Sequence, residues 1–198
     1  MRTKSCFFAL LAASVLAAPA VLAAPVLSSP IEPFVLPSVG QSVSIELPSH
    51  FSDEDGEVLE YKVNSLDTDI LGAEITDGKT VSITARALGL GQVRVSAFDA
   101  MGASARCDIP VLVRAPGEKL TLLEGAVFKD RLTILAAEKE APTTVRLVSA
   151  SGTVVAETSG QFSAFNPVVL DTQRLSPGLY TLYADIAGET IKRSVVKK

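Results

Sequence analysis

One short segment carries carboxylates whose spacing suits a metal ion. Its acidic residues Asp53, Asp55 and Glu57 lie at alternate positions. Convergent oxygen ligands are what a hard cation such as Ca²⁺ prefers, and Asp99 could join them if its loop lies at the same end of the fold. The alternative is a solvated Asx turn that caps a strand. Asp53, Asp55 and Asp99 are therefore a candidate calcium site, and no other cofactor is indicated.

The other reactive residue types stand alone in the sequence. His50 is the single histidine, so it has no second histidine with which to share a metal, and we expect a solvent-exposed turn residue. Cys107 lies in phase with the apolar residues Ile109 and Val111, which favours a small buried hydrophobe over a nucleophile. No glycine-rich phosphate loop is present and tryptophan is absent. These patterns predict a protein that is not an enzyme.

The segments that surround these residues alternate apolar and polar side chains. Such runs occupy residues 43–47, 59–63, 81–84, 93–97 and 107–113. A period of two indicates strands with one buried face. Asp77-Gly78 predicts a tight hairpin, since that turn needs positive φ. Pro110 predicts an edge strand or a strand start, because it has no N–H to donate. The spacing indicates a sandwich of about seven strands ending near Arg114.

A second β-unit follows a break in the pattern. We assign a linker to residues 115–118 and expect few contacts to cross it. Beyond it, the turn pairs Ser151-Gly152 and Ala187-Gly188 separate further alternating runs. The predicted strands are 120–123, 131–135, 145–156, 168–170, 179–184 and 190–196. The predicted fold class is all-β, with one β-sandwich over residues 31–114 and a smaller one over 119–198.

The beginning of the chain has the pattern of a secretory signal. Arg2 and Lys4 precede an uncharged apolar run and then small residues, an order typical of a cleaved signal peptide. We place the signal peptide at residues 1–23 and an extended lead-in at 24–30. Loss of the two basic residues changes the formal charge from −4 to −6. An acidic chain without a basic stripe is a poor nucleic-acid binder.

Removal of this leader has one further consequence. It takes away Cys6 and leaves Cys107 as the remaining cysteine. A single cysteine cannot form an internal disulfide, so the exported protein is expected to rely on packing.

Two stretches of the first unit carry recognisable motifs, FSDEDGEVLEY at residues 51–61 and VSAFDAMGASA at 95–105. With them, the unit resembles the cadherin-like and immunoglobulin-like modules of bacterial surface proteins, which implies an immunoglobulin-like or cadherin-like β-sandwich over residues 31–114. The resemblance carries no information on the ligand, because sandwiches host many activities. The expected partner is therefore an unidentified protein or glycan.

The second unit carries several motifs along its length. They are Ser-Pro-Gly-Leu-Tyr at residues 176–180, a Lys pair at 197–198, the Ser-Gly turn at 151–152 and KDRLTI at 129–134. With these, the unit resembles the type A C-terminal sorting domain of type IX secretion cargo, which implies a smaller immunoglobulin-like β-sandwich over residues 119–198. The Asn-Pro pair that opens most members is replaced here by Glu-Gly-Ala at 124–126. The resemblance implies a sorting signal, whose residues are Pro177, Gly178, Tyr180, Lys197 and Lys198.

The same resemblance implies a route. Such cargo passes the type IX translocon, loses the domain to a sortase-like peptidase, and is often attached to surface lipopolysaccharide. We expect a secreted protein that is periplasmic in transit and then lies at the outer-membrane surface or outside the cell, where it acts in binding or adhesion. The alternative is an accessory or signalling factor of the secretion apparatus that retains its C-terminal domain.

Overall fold

The computed structural model describes residues 23–56, 58–136 and 140–198. The predicted signal peptide thus lies outside the described residues, except for Ala23. No helix in the described ranges is long and apolar enough to cross a membrane. A 3₁₀ helix spans Leu47–Ser49. The strands are β1 Val26–Leu27, β2 Phe34–Leu36, β3 Ser42–Glu46, β4 Phe51–Ser52, β5 Glu60–Ser65, β6 Leu71–Thr76, β7 Thr80–Ala85, β8 Gly89–Phe98, β9 Ser104–Val113, β10 Thr121–Leu122, β11 Val127–Phe128, β12 Arg131–Leu135, β13 Ala141–Ser149, β14 Val154–Phe162, β15 Val168–Asp171, β16 Gly178–Ile186 and β17 Glu189–Lys197.

The first unit is a sandwich of two sheets. One sheet has the order β3-β7-β6 and the other the order β2-β9-β8-β5. In both sheets the neighbours are antiparallel, except that β2 runs parallel to β9. The sheet of β3, β6 and β7 thus faces the sheet that contains β5, β8 and β9. This is the immunoglobulin arrangement, in which strands B, E and D face strands C, F and G. This strand order confirms the predicted all-β, immunoglobulin-like fold class.

The alternating runs build the core of this sandwich. Val81 and Ile83 of β7 and Val93 and Val95 of β8 are fully buried, and polar side chains alternate with them. Each such side chain stabilises the fold by about 1.5–3 kcal/mol relative to exposure. The prediction of strands with one buried face is therefore confirmed for these runs.

The predicted hairpin at Asp77-Gly78 connects β6 to β7. Both residues have positive φ, 51° and 74°. The Asp77 carboxylate accepts the backbone N–H groups of Lys79 and Thr80 at 3.1 and 3.0 Å. The hydrogen bond from Lys79, followed by that from Thr80, lowers the pKa of Asp77. The side chain therefore closes the turn that the glycine permits.

Pro110 lies where its missing N–H is tolerated. It pairs with Gln92 of β8 on one side, while β2 pairs with β9 only from Val111 onward. The first part of β9 is therefore an edge, as Pro110 predicted.

The second unit is also a two-sheet sandwich. Its sheets have the orders β10-β12-β15 and β11-β17-β16-β13-β14. The predicted run at 145–156 is two strands, β13 and β14, joined at the predicted Ser151-Gly152 turn, where Gly152 has a φ of 87°. Ala187 and Gly188, with φ of 50° and 87°, connect β16 to β17 as predicted. Strand β11, which pairs in parallel with β17, was not predicted; its two residues are too few to show a period.

An apolar cluster joins the two units. Leu112 of β9 points away from the core of the first sandwich and is fully buried. Val35 and Leu90 lie beside it in register on the neighbouring strands. The second unit covers this row with three side chains, which are Leu135, Ala164 and Phe165. We call these six residues the inter-unit cluster.

A buried arginine adds a polar contact at the same boundary. Arg114 is 5% exposed, and its guanidinium donates a hydrogen bond to the backbone carbonyl of Ala136. These contacts cross residues 115–118, but within the described ranges no sheet contains strands of both units, so the expectation that few contacts cross the linker stays a prediction. The sequence missed the contact because Leu112 lies on the face of β9 that alternation assigns to solvent.

Candidate functional site

Two loops meet at the end of the first sandwich that lies farthest from the second unit. Glu60 at the start of β5 pairs with Phe98 at the end of β8, so the chain enters β5 and leaves β8 at the same end. Strand β9 starts at this end and reaches Val113 after 10 residues, a span of roughly 30 Å. We call the loops formed by residues 53–59 and 99–103 the distal tip; Glu57 is outside the described residues.

The three candidate calcium ligands all lie at this tip. One carboxylate oxygen of Asp53 accepts the N–H of Asp55 at 2.9 Å, and one oxygen of Asp99 accepts the N–H groups of Met101 and Ala103 at 2.9 and 2.8 Å. These contacts are Asx-type turns. Two of the three aspartates thus support the backbone of their own loops.

The tip aspartates do not form a ready cation site. In the part of the chain that the structure describes, no three His, Cys, Asp or Glu side chains are placed to bind a metal together. Asp55 accepts the backbone N–H of Ala23 at 2.5 Å, a contact that the predicted signal-peptide cleavage would remove. This geometry favours the Asx-turn alternative. Calcium binding stays a prediction.

Two apolar side chains project from the tip. Val58 is 88% exposed and Met101 is 73% exposed, more than any other large hydrophobic residue of the described ranges. Beside Val58 is a hollow of about 210 Å³ that Phe51 and Tyr61 help to line. Their ring centroids are 6.0 Å apart, and burial raises the pKa of Tyr61. The strand patterns could not identify Val58 or Met101, because both lie in loops.

The tip belongs to the acidic part of the molecule. Residues 31–114 contain 13 acidic and 6 basic residues, a net charge of −7, whereas residues 119–198 contain 8 and 10, a net charge of +2. Asp53, Glu54 and Asp55 precede Val58 in the same loop of the tip. Such a surface attracts a partner that combines basic and apolar groups.

His50 has a structural role that its sequence context did not predict. It is half-buried, its ring Nδ1 lies 3.1 Å from the carbonyl of Ser29, and its own carbonyl accepts the N–H of Ser28 at 2.9 Å. The expectation of a solvent-exposed turn residue is therefore corrected: His50 fastens the lead-in segment to the sandwich. Cys107 packs against the core as its phase predicted, although it is half-buried rather than buried.

Tyr180, one of the predicted sorting residues, supports the fold of the second unit. It is 7% exposed at the start of β16, and its hydroxyl donates to the carbonyl of Ser176 at 2.7 Å. This is the geometry of a tyrosine corner, in which the hydroxyl fixes the turn that precedes the strand. Pro177 and Gly178 of that turn are exposed. Tyr180 therefore fixes the conformation of the turn that exposes Pro177 and Gly178.

The two predicted sorting lysines differ in accessibility. Lys197 is 6% exposed and faces the same side as the buried Val195, whereas Lys198 is exposed. The strand that carries them is held by β11, because the N–H of Lys198 donates to the carbonyl of Phe128 at 2.9 Å. Of the predicted sorting residues, Pro177, Gly178 and Lys198 are thus open to contact.

Comparison with known proteins gives similarity of shape only. No family model and no curated protein matches the sequence. Among solved structures, the D00-D0 domain of intimin has a TM-score of 0.41 at 13% identity and covers 88% of this chain and 98% of its own. The fibronectin(III)-like modules of Clostridium thermocellum CbhA have a TM-score of 0.35 at 16% identity, covering 87% and 92%.

An endo-fucoidan hydrolase of glycoside hydrolase family 107 has a TM-score of 0.37 at 14% identity, and the match spans 89% of this chain but 28% of that enzyme. All three TM-scores are too low to support an argument. The fold assignment therefore rests on the strand order itself.

Proposed function

We propose that this protein is a non-enzymatic binding or adhesion protein, exported to the periplasm and delivered to the cell surface by the type IX translocon through its C-terminal unit. The observation that carries the binding role is the distal tip. The two most exposed large apolar side chains of the described ranges, Val58 and Met101, lie at the end of the molecule opposite the second unit.

The tip combines features that suit recognition by contact. Exposed apolar side chains contribute binding energy when a partner covers them. The surrounding carboxylates favour a protein or glycan surface with basic groups at its rim. The Asx turns at Asp53 and Asp99 hold the two loops in place, which reduces the entropy lost on binding.

The second unit provides the address in this proposal. Its open signal residues Pro177, Gly178 and Lys198 lie on a folded surface rather than on a loose tail. After transit, a sortase-like peptidase would cut between the units, and the first unit would be attached to surface lipopolysaccharide. The exposed residues Pro116 and Gly117 are the accessible part of the boundary.

One observation favours the alternative, an accessory or signalling factor of the secretion apparatus that keeps its second unit. Removal of that unit would expose Leu112, which is fully buried, together with Val35 and Leu90. Exposure of apolar surface costs about 25 cal/mol per Å². Cleavage between the units would therefore leave an exposed apolar row on the first unit, whereas a protein that keeps its second unit keeps this row covered.

The intact mass of the protein at the cell surface tests the proposal and separates the two roles. We expect a surface species that lacks residues 119–198 and carries added lipopolysaccharide. A surface species that keeps residues 119–198 would favour the accessory role. Absence of the protein from the surface, with the full chain in the periplasm, would contradict both.

A further inference from the structure

Three exposed apolar side chains form a row across the second unit. Val127 of β11 is the register partner of Val196 of β17, and Val196 is the register partner of Leu179 of β16. Their exposures are 43%, 38% and 57%. Side chains opposite each other on neighbouring strands touch, so the three form one continuous strip on the outer face of the sheet.

Two lysines border this strip. Phe128 and Lys197 face inward, so Lys198 continues the outward face that Val196 begins, and Lys129 is the exposed residue that directly follows β11. The N–H of Lys198 donates to the carbonyl of Phe128, which brings the backbone of Lys198 next to that of Lys129; both lysines are exposed. Within the described ranges neither lysine forms an ion pair. An apolar strip with two unpaired positive charges at its edge remains uncovered.

The strip unites segments that are far apart in the sequence. Val127 and Lys129 precede β12, whereas Leu179, Val196 and Lys198 belong to the last two strands. Pro177, two residues before Leu179, is exposed at the same end of the sheet. A partner that covers the strip therefore contacts the open residues of the predicted sorting signal as well.

We propose that Val127, Leu179 and Val196, with Lys129 and Lys198 at their edge, form a docking surface for a protein whose apolar patch is flanked by carboxylates. This inference rests on the proposed function, in which the second unit is the address, and it names the surface that the partner reads. Charge complementarity guides the choice of partner: Lys129 and Lys198 form no ion pair within the described ranges, so their ammonium groups attract an acidic border.

Other occupants fit the strip less well. Binding to an anionic membrane takes clusters of four to eight basic residues and apolar side chains that reach into the bilayer. The strip has two lysines and short aliphatic side chains on a flat sheet. A second copy of the chain would present the same lysines rather than an acidic border, so an isologous dimer lacks charge complementarity at this edge.

The test compares surface delivery of full-length variants in the host cell. Leu179→Ser with Val196→Ser removes the apolar contact, and we expect at least a tenfold fall in the ratio of surface to periplasmic protein, the effect of losing hot-spot contacts. Lys129→Glu with Lys198→Glu should lower the ratio without changing the apolar strip. The matched controls, Val169→Ser on the other sheet and Lys192→Glu on β17, should be delivered normally. Thermal melts of the purified variants show whether each is folded.

Each outcome decides between the possibilities. Normal delivery of both double variants would overturn the docking surface, whereas normal delivery of a chain that stops at Ala115 would overturn the proposed function itself. A wild-type dimer that the serine variant converts to a monomer, measured by light scattering, would assign the strip to a second copy. Binding of the wild-type chain, but not of the variants, to vesicles of anionic lipid would assign it to a membrane. Either of these two results would also overturn the proposal.

Discussion

At the scale of single residues, Tyr180 shows how a predicted signal residue acquires a structural explanation. Tyr180 is buried at the start of β16, and its hydroxyl donates a hydrogen bond to the carbonyl of Ser176. The motif at residues 176–180 therefore does two things. Its exposed Pro177 and Gly178 shape a surface, and Tyr180 holds that surface in one conformation.

The variant Tyr180→Phe should lower the free energy of unfolding by about 1 kcal/mol, because it leaves the part-buried Ser176 carbonyl without its donor. Urea unfolding measures the change. Tyr183→Phe is the matched control, since Tyr183 lies three residues further along β16 with its ring under the Lys192 ammonium at 5.5 Å. An equal loss in both variants would show that the Tyr180 hydroxyl contributes nothing specific.

At the scale of elements, cross-strand pairs connect β8 to β9. The Arg94 guanidinium binds both carboxylate oxygens of Asp108 at 2.7 and 2.8 Å. This hydrogen bond holds the pKa of Asp108 below its ordinary value of 3.8. A carboxyl whose pKa is depressed in the folded state stabilises the fold above its unfolded pKa and loses that contribution as the pH falls through its folded pKa.

We therefore expect Asp108→Asn to lower the melting temperature slightly at pH 7, since the pair is partly exposed and screened by solvent. Below pH 4 the difference from the wild type should shrink. Glu60→Gln is the control, because its contact with Lys62 is longer, at 3.5 Å, and both groups are largely exposed. A difference that persists unchanged at pH 2 would show that the ion pair is not its cause.

The sequence predicts those elements whose two faces differ. The run at 131–135 agrees with β12 at both ends, and those in β7 and β8 have the buried and exposed faces that alternation implies. Strands β1, β4 and β11 have two residues each and show no period. Their existence depends on partners distant in the chain, which a local pattern cannot contain.

The candidate sites were predictable to a smaller degree for the same reason. Asp53 and Asp55 follow from spacing within one loop, and Asp99 from the assumption that its loop lies at the same end. The exposure of the apolar residues Val58 and Met101 depends on how the rest of the chain folds around them. The strip of Val127, Val196 and Leu179 depends on the register of three strands. Tertiary pairing creates both surfaces.

At the scale of the whole molecule, the inter-unit cluster connects the two sandwiches. Phe165→Ala removes one contact of this cluster from a loop of the second unit and leaves the cores of both sandwiches intact. We expect a destabilisation below about 3 kcal/mol, because the ring is only half-buried. After a protease cut at the exposed Pro116 and Gly117, the wild-type fragments should stay associated on size exclusion.

The fragments of the Phe165→Ala variant should separate more readily than those of the wild type. Val169→Ala, on a side chain that is 56% exposed, is the control and should behave as the wild type does. Wild-type fragments that separate at once would show that the cluster does not hold the units together.

The central claim is that the second unit is an address and the first is the cargo. Deletion of Leu179 to Lys198 is a weak test of it, because β16 lies in the middle of the five-stranded sheet and its loss unfolds the unit. A chain that stops at Ala115 keeps the first core whole. Fractionation of cells that express this chain, beside cells with the full chain, is the direct measurement. We predict soluble protein in the periplasm and none at the surface, whereas delivery to the surface at the level of the full chain would contradict the account.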